Sequence, residues 1–498
     1  MRRPIAFVIA SLFVESLCEA PTARLSAQPQ KPREDYWPAI PAANPDRAFT
    51  IQPNADCVTL GVPFRTNEFG FRDDPLIPKS PGVFRIVCLG DSVTFGTGVA
   101  NREAFPNLLE AKLQSLVPQG QKVDVVNAAV SAYNVRNIRA LLEEGIATLE
   151  PDLVVYTFVE NDLDDSVSAG PRGYLMALDP LKRPEEPYVS DDFPALWLMR
   201  RQAEGKTGFF GSITSLFDNQ LETVSEIPPP LLFGDHPTTR ERWGMFESNL
   251  SQMKNLSGQR GAAFAVYSFA LRNHSEPLVR KIRQMCGRMG IPEASTLPIF
   301  DQATYKDRHS LGYDPHCNLE GHRLMADRLL AFLTNAGLLE KGLGIVSAPA
   351  RYIETVDEAV ANRFEQQALA LPRTIDLEGG DGALGLLAGV DPDGSMARYC
   401  LLRLSGPGAQ IAVEASPLFG ATGQQQALSA EIEGEPVGPP VIVEGRSTRA
   451  VFPVPQRFQN KTVEVKLIAQ GPVDLPTPDE RLQGKTPRTI RLKSVTRR

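Results

Sequence analysis

Cysteine is scarce in this chain and never clustered. Its 498 residues include six, Cys18, Cys57, Cys88, Cys286, Cys317 and Cys400, with no C-x-x-C pair and no metal-ligand spacing among them. Nothing therefore points to a disulfide scaffold or a thiolate metal site, and the thiols are expected to be buried singly. Long apolar runs are missing as well. The only candidate, Pro4 to Leu17, is shorter than the roughly 20 residues a spanning helix needs, so no integral membrane segment is expected beyond the leader. Positive charge is not in excess. The net charge is −7, a poor match for nucleic acid or an anionic membrane surface. No internal repeat stands out. Histidine is limited to five positions (His236, His274, His309, His316, His322), which leaves few candidates for a catalytic base.

What is present is ordinary globular composition, 42% apolar and 22% charged. At about 150 residues per domain the length allows two or three domains. The start, Met1-Arg2-Arg3 followed by a short apolar run, reads as a secretory signal peptide within residues 1–27, hence export to the periplasm or beyond. Glu15 interrupts the run and no clean A-x-A site follows, so the alternatives are an unprocessed apolar N-terminus or a misplaced start. Residues 28–82 read as a linker and a turn-rich strap that includes RTNEFGFRDD (Arg65 to Asp74).

From Phe84 the pattern becomes regular. FRIVCLG, VDVVNAAV and DLVVYTFV are continuous apolar runs separated by helical spacings, as buried parallel strands should be. Leu163 to Pro237 is irregular and reads as a lid-like insertion. Alternation then resumes, with a helix over Thr238–Leu256, strands at AAFAVYSFA and LPIFD (Leu297 to Asp301), and a closing helix over Leu319–Leu333. The expectation for 83–340 is a flavodoxin-like doubly wound α/β sheet, with ligands at the C-terminal strand ends. A linker and helix follow over 341–372. Residues 373–498 hold short period-two runs without helices, which predicts an antiparallel β-sandwich.

Four short stretches carry candidate chemistry. Gly90-Asp91-Ser92 ends the first strand and would present Ser92 at the sheet edge. Asn127 to Tyr133 ends the second, where a loop can aim a backbone N–H at the same space. Glu160-Asn161-Asp162 ends the third, and an asparagine there can donate to an oxyanion. Asp314-Pro315-His316-Cys317-Asn318 precedes the last helix. His316 would take the Ser92 proton and Asp314 would fix the imidazole tautomer. His309 is a rival base, and Asp301 and Asp307 are rival acids. His322, on the last helix, reads as a packing or capping residue. Taken alone, the first two stretches also read as strand-to-helix turns, the third as an Asn/Asp helix cap or turn, and the fourth as a surface histidine in a loop.

Together, in this order, they resemble the SGNH (GDSL-type) serine esterase family over about Phe84 to Leu333. The resemblance implies Ser92 as nucleophile, with the Ser92 N–H, the Ala132 N–H and the Asn161 side chain as oxyanion hole, and Asp314 and His316 completing the triad. It implies no metal or organic cofactor. The chain departs from the family pattern in four places. Ala132 replaces a glycine, Val159 precedes Glu160-Asn161-Asp162, the acid and base are spaced D-x-H, and Cys317 stands where proline is usual. A thiol there is either an oxidation liability or a buried spectator. The strap looks like one seen in exported bacterial members. A small-acyl esterase acting on carbohydrate is the expectation. A polysaccharide O-acetyltransferase using the same site, a non-catalytic glycan-binding protein, and a lipase or thioesterase of the same fold are the alternatives.

Overall fold

In the computed structural model the described residues are 39–42, 44–47, 49–131, 133–163, 237–312, 315–347, 355–369, 371–377, 387–390, 394–418, 425–471 and 489–498. The expected leader, all but the ends of the expected insertion, Cys18, Ala132 and Asp314 lie outside them.

Two short hairpins lead in: β1 (Ala39–Pro41) with β2 (Phe49–Ile51), and β3 (Asp56–Thr59) with β4 (Val62–Arg65). The central sheet follows, with strands β5 (Val83–Leu89), β6 (Lys122–Asn127), β7 (Leu153–Phe158), β8 (Ala263–Ser268) and β9 (Glu293–Ser295). They pair in the order β6-β5-β7-β8-β9, all parallel. This is the doubly wound α/β order expected. Between the strands run α1 (Ser92–Phe95), α2 (Phe105–Leu116), α3 (Val135–Leu149), α4 (Pro237–Gln259) and α5 (Glu276–Met289). After β9 come α6 (Gln302–Arg308), α7 (Leu319–Asn335), α8 (Glu340–Leu343) and α9 (Glu358–Leu369).

Period two along the strands sorts the core into two layers. Val87, Leu89, Val126, Val154 and Tyr156 pack against Ile138 and Leu142 of α3 and Phe246 and Leu250 of α4. Ile86, Cys88, Val125 and Val155 pack against Leu109 and Leu113 of α2 and Met325 and Leu329 of α7. Both faces are covered, so the strands read as unbroken apolar runs.

One strand expectation needs correction. LPIFD is not a strand. The Ile299 and Phe300 N–H groups both turn back to Thr296 O, and Asp301 makes only an isolated bridge with Arg272. The edge strand is Glu293–Ser295 instead. Its apolar content is low because Glu293 binds Ser268 and Arg283, so polar pairing stands in for hydrophobic burial.

The C-terminal strands form two antiparallel sheets, β10-β19-β13-β17 and β11-β12-β18-β14-β15, with β16 on β14. Their ranges are β10 (Thr374–Asp376), β11 (Leu387–Val390), β12 (Met396–Leu404), β13 (Gln410–Pro417), β14 (Gln426–Ile432), β15 (Glu435–Pro436), β16 (Val441–Val443), β17 (Thr448–Pro453), β18 (Val463–Gln470) and β19 (Ile490–Arg497). Ile411, Val413, Phe452 and Leu492 face Leu402, Leu404, Val465 and Leu467 across one core, which makes the expected β-sandwich. The five described cysteines are free and buried, as read from their isolation in the sequence.

Candidate active site

The C-terminal end of β5 turns sharply at Gly90. A Cβ there would lie 2.2 Å from Thr94 Oγ1, so only glycine fits. Asp91 follows as the cap of α1, its Oδ1 accepting the Val93 N–H at 3.0 Å. Ser92 is the first residue of α1. Among the described residues neither its hydroxyl nor its own N–H makes a hydrogen bond, so both remain available as donors. Ser92 and His316 are each 9% exposed, against 1% for Asp91 and 0% for Asp162.

The stretch after β6 is tied to the same turn. The Ala128 N–H donates to Cys88 O at 3.0 Å and the Val130 N–H to Gly90 O at 3.2 Å. Tyr133 closes a turn onto Val130 O at 3.2 Å, bracketing Ala132. The Tyr133 ring is buried edge-on against Phe49 (centroids 5.2 Å), and Arg47 Nε donates to its hydroxyl at 3.1 Å.

After β7, Asn161 Nδ2 donates to Asp91 Oδ2 at 3.1 Å. One carboxylate thus starts the Ser92 helix and aims the Asn161 amide, leaving the second Nδ2 hydrogen for another acceptor. Asp162 sits beneath, accepting from Tyr156 Oη at 2.6 Å and from the Val159 N–H at 3.0 Å. Burial holds both Asp91 and Asp162 above the usual carboxylate range, and Asp91 repels Asp162 further.

His316 approaches from before α7. A proton on His316 would favour the ionised form of Asp91, which puts the imidazole within electrostatic reach of the Ser92 turn. The loop that carries it is pinned from several sides. Leu311 N–H donates to His316 O at 2.9 Å, Tyr305 Oη donates to Pro315 O at 2.9 Å, and Asn318 Nδ2 donates to Ser310 O at 2.9 Å. Asn318 Oδ1 in turn caps α7 by accepting the Gly321 N–H at 2.9 Å.

The rivals are occupied elsewhere. His309 packs on Phe300, and its charged neighbours are Glu320 and Arg308. Asp301 caps α6 and binds Arg272 and Asn273, while Asp307 is exposed. His322 is a packing residue, as read. Its Nδ1 accepts the Phe105 N–H at 3.2 Å, and burial, together with the charges of Arg72 and His316, pushes its pKa down to about 3. Cys317 is buried beside the loop. It is 1% exposed, its thiol is pushed up to about 12 by burial, and its Sγ rests 3.2 Å from Tyr305 Oη. Among the described residues no cluster of His, Cys, Asp and Glu could hold a metal ion.

Of the five residues the sequence points to, Ser92 and Asn161 are linked through Asp91 and His316 lies within electrostatic reach of Asp91, while Ala132 and Asp314 lie outside the described residues. No local pattern in the sequence marks Asp91, Tyr305 or Arg72 of the strap, whose partners are distant in the chain.

No protein-family model and no curated protein matches the chain. Among solved structures it is similar to TesA, at 14% identity over 50% of this chain and 97% of that one, with a TM-score of 0.30. It is similar at the same TM-score to Axe2, an acetylxylan esterase from Geobacillus stearothermophilus, at 14% identity over 50% of this chain and 94% of that one. A two-domain esterase active on acetylated mannans matches at 12% identity over 84% of this chain and 92% of that one, again at 0.30.

Proposed function

We propose that the chain is an SGNH-type serine ester hydrolase that removes small acyl groups, with acylated carbohydrate as the favoured substrate class. The observation that carries this reading is the double use of Asp91, which joins the start of the Ser92 helix to the Asn161 amide beside His316. The shared Asp91 supports the reading that residues distant in sequence serve one carbonyl group.

The chemistry follows from the groups. Ser92 Oγ adds to the ester carbonyl carbon as His316 takes its proton. The oxygen that gains charge is met by the Ser92 N–H, the Ala132 N–H and the free hydrogen of Asn161 Nδ2. His316 returns the proton to the leaving alcohol, the acyl group stays on Ser92, and a water deprotonated by His316 releases it. Asp314 would hold the imidazole in the tautomer that accepts at Nε2. The carbohydrate preference rests on the appended sandwich, a common companion of glycan-active enzymes. Export rests on the basic, apolar start of the chain. No helix of the described residues is long and apolar enough to cross a membrane.

The direct test compares wild type and Ser92→Ala on p-nitrophenyl acetate, butyrate and octanoate. Wild type should favour acetate, and the variant should lose about 1,000-fold or more in kcat. Equal turnover by both would remove Ser92 from the mechanism. Acyl release only when a glycan acceptor is supplied would turn the assignment to an O-acetyltransferase.

A further inference from the structure

Arg72 lies in the strap, outside every motif tied above to chemistry, yet it is among the most deeply buried large side chains of the molecule, at 0% exposure. Its guanidinium lies against the rings of Phe64 and Phe95, 5.0 and 5.1 Å from the two centroids, and those rings meet edge to face 5.3 Å apart. Its donors all point at the segment that follows Ser92. Nη1 donates to Phe95 O at 2.9 Å and also to Gly96 O, Nη2 donates to Val99 O, and Nε donates to Asn101 Oδ1 at 3.2 Å. Those carbonyls belong to the last residue of α1 and the loop after it. The same loop turns its Gly96 and Thr97 N–H groups back to Ser92 O, at 3.0 and 3.2 Å. Arg72 and Ser92 therefore grip one loop from its two ends.

No carboxylate oxygen lies within ion-pair distance of Arg72 among the described residues. Burial lowers its pKa to about 9, which still leaves it charged at neutral pH. The charge is felt across the floor of the site, since it helps hold His322 neutral. Burying an unpaired cation is costly. For packing alone, a methionine would cover the two rings at lower cost. What only a guanidinium supplies is several donors in one plane, matched to several carbonyls.

We propose that Arg72 is a positioning residue for Ser92, clamping the carbonyls of Phe95, Gly96 and Val99 so that α1 presents the serine and its N–H at a fixed angle to the cleft. This deepens the serine-hydrolase reading and rests on it for its effect on turnover. The clamp itself is a structural statement that stands apart. Misplacing a nucleophile by an ångström costs on the order of 100-fold in rate. Arg72→Met should therefore lower kcat about 100-fold, with KM changed less than about threefold. Arg72→Lys retains the charge and reaches fewer carbonyls, so it should lose only about tenfold.

The experiment pairs these kinetics with hydrogen exchange on the full chain. In Arg72→Met the amides of Gly96, Thr97 and Val99 should exchange roughly tenfold faster, while those of β5 and β7 stay as protected as in wild type. Local loosening together with a kcat loss supports the proposal. Unchanged exchange at residues 96–99, or loosening spread evenly over the sheet, overturns it. If Arg72→Met does not fold, Arg72→Lys gives the same readings at smaller amplitude. If wild type proves inert and Ser92 unreactive, the hydrolase reading fails, and the exchange pattern still decides whether the clamp exists.

Discussion

Asp91 makes two hydrogen bonds whose partners lie on different strand ends, and its substitution is the sharpest residue-scale probe of the site. Asp91→Asn keeps the volume but turns an N–H₂ toward the Asn161 amide, so the two donors repel. Turnover should fall about 100-fold while KM moves little, because in the mechanism proposed above the interaction lost is one that stabilises developing charge. A kcat within a factor of three of wild type would contradict the link. Cys317 gives the opposite expectation. Buried beside Tyr305 with its thiol pushed up to about 12, it should resist iodoacetamide at pH 8, and activity should survive the treatment. Inactivation with a single adduct on Cys317 would show that the loop opens. At this scale the sequence disclosed residue types but not partners. Asn161 and Asp91 stand 70 positions apart, and no local pattern ties one to the other.

Among the elements, β6 is the open edge of the parallel sheet, and it is closed by side chains. Its outward N–H groups at Val123, Val125 and Asn127 donate to Gln114 Oε1 at 3.0 Å, Glu110 Oε2 at 2.7 Å and Asp73 Oδ2 at 2.8 Å. No neighbouring strand can add there without displacing all three. The arrangement makes stability depend on pH. Burial pushes the carboxyls of Asp73 and Glu110 up to about 7, from ordinary values near 4. Between about pH 4 and pH 7 the folded chain holds protons that the unfolded chain has released. Stability must therefore fall as pH rises through that window and level off above it. The urea midpoint should be lower at pH 8 than at pH 5.5. Glu110→Gln should shrink the difference by on the order of 1 kcal/mol, a figure that allows for partial solvent screening. A midpoint that rises with pH would contradict the assignment. The strands and helices were legible in the sequence wherever a long period held, as for β5, β7, α4 and α7. LPIFD misled because its apolar residues are buried by a turn, which leaves no mark distinguishing it from a short strand.

Across the whole molecule, the sandwich is fused to the α/β layer by the outward residues of two strands. Leu402 and Leu404 point into the sandwich core, while their neighbours Leu401 and Arg403 point at α4. Leu401 and Ile468 share a cluster with Trp243 and Phe246, and Arg403 donates to Thr239. Glu464 lies 3.9 Å from Arg242 and 3.5 Å from Arg403, nearly out of water. Glu464→Gln would leave two buried guanidiniums short of their counter-charge, at a cost of about 3 kcal/mol, read as a lower thermal midpoint. A midpoint unchanged within a degree would mean the contact is not held in solution. The class of this region was legible from its period-two runs. Its seam was not, because period two gives the two faces of a strand but not which neighbour each face meets.

Covalent labelling tests the proposed nucleophilic role of Ser92 most directly. The full chain would be treated with a fluorophosphonate and its adduct located by peptide mass mapping. A single adduct on Ser92, slowed by a competing acetyl ester and slowed further in His316→Ala, is the predicted result. No adduct on Ser92 in a folded sample, or an adduct on another residue with ester turnover intact in Ser92→Ala, would contradict it.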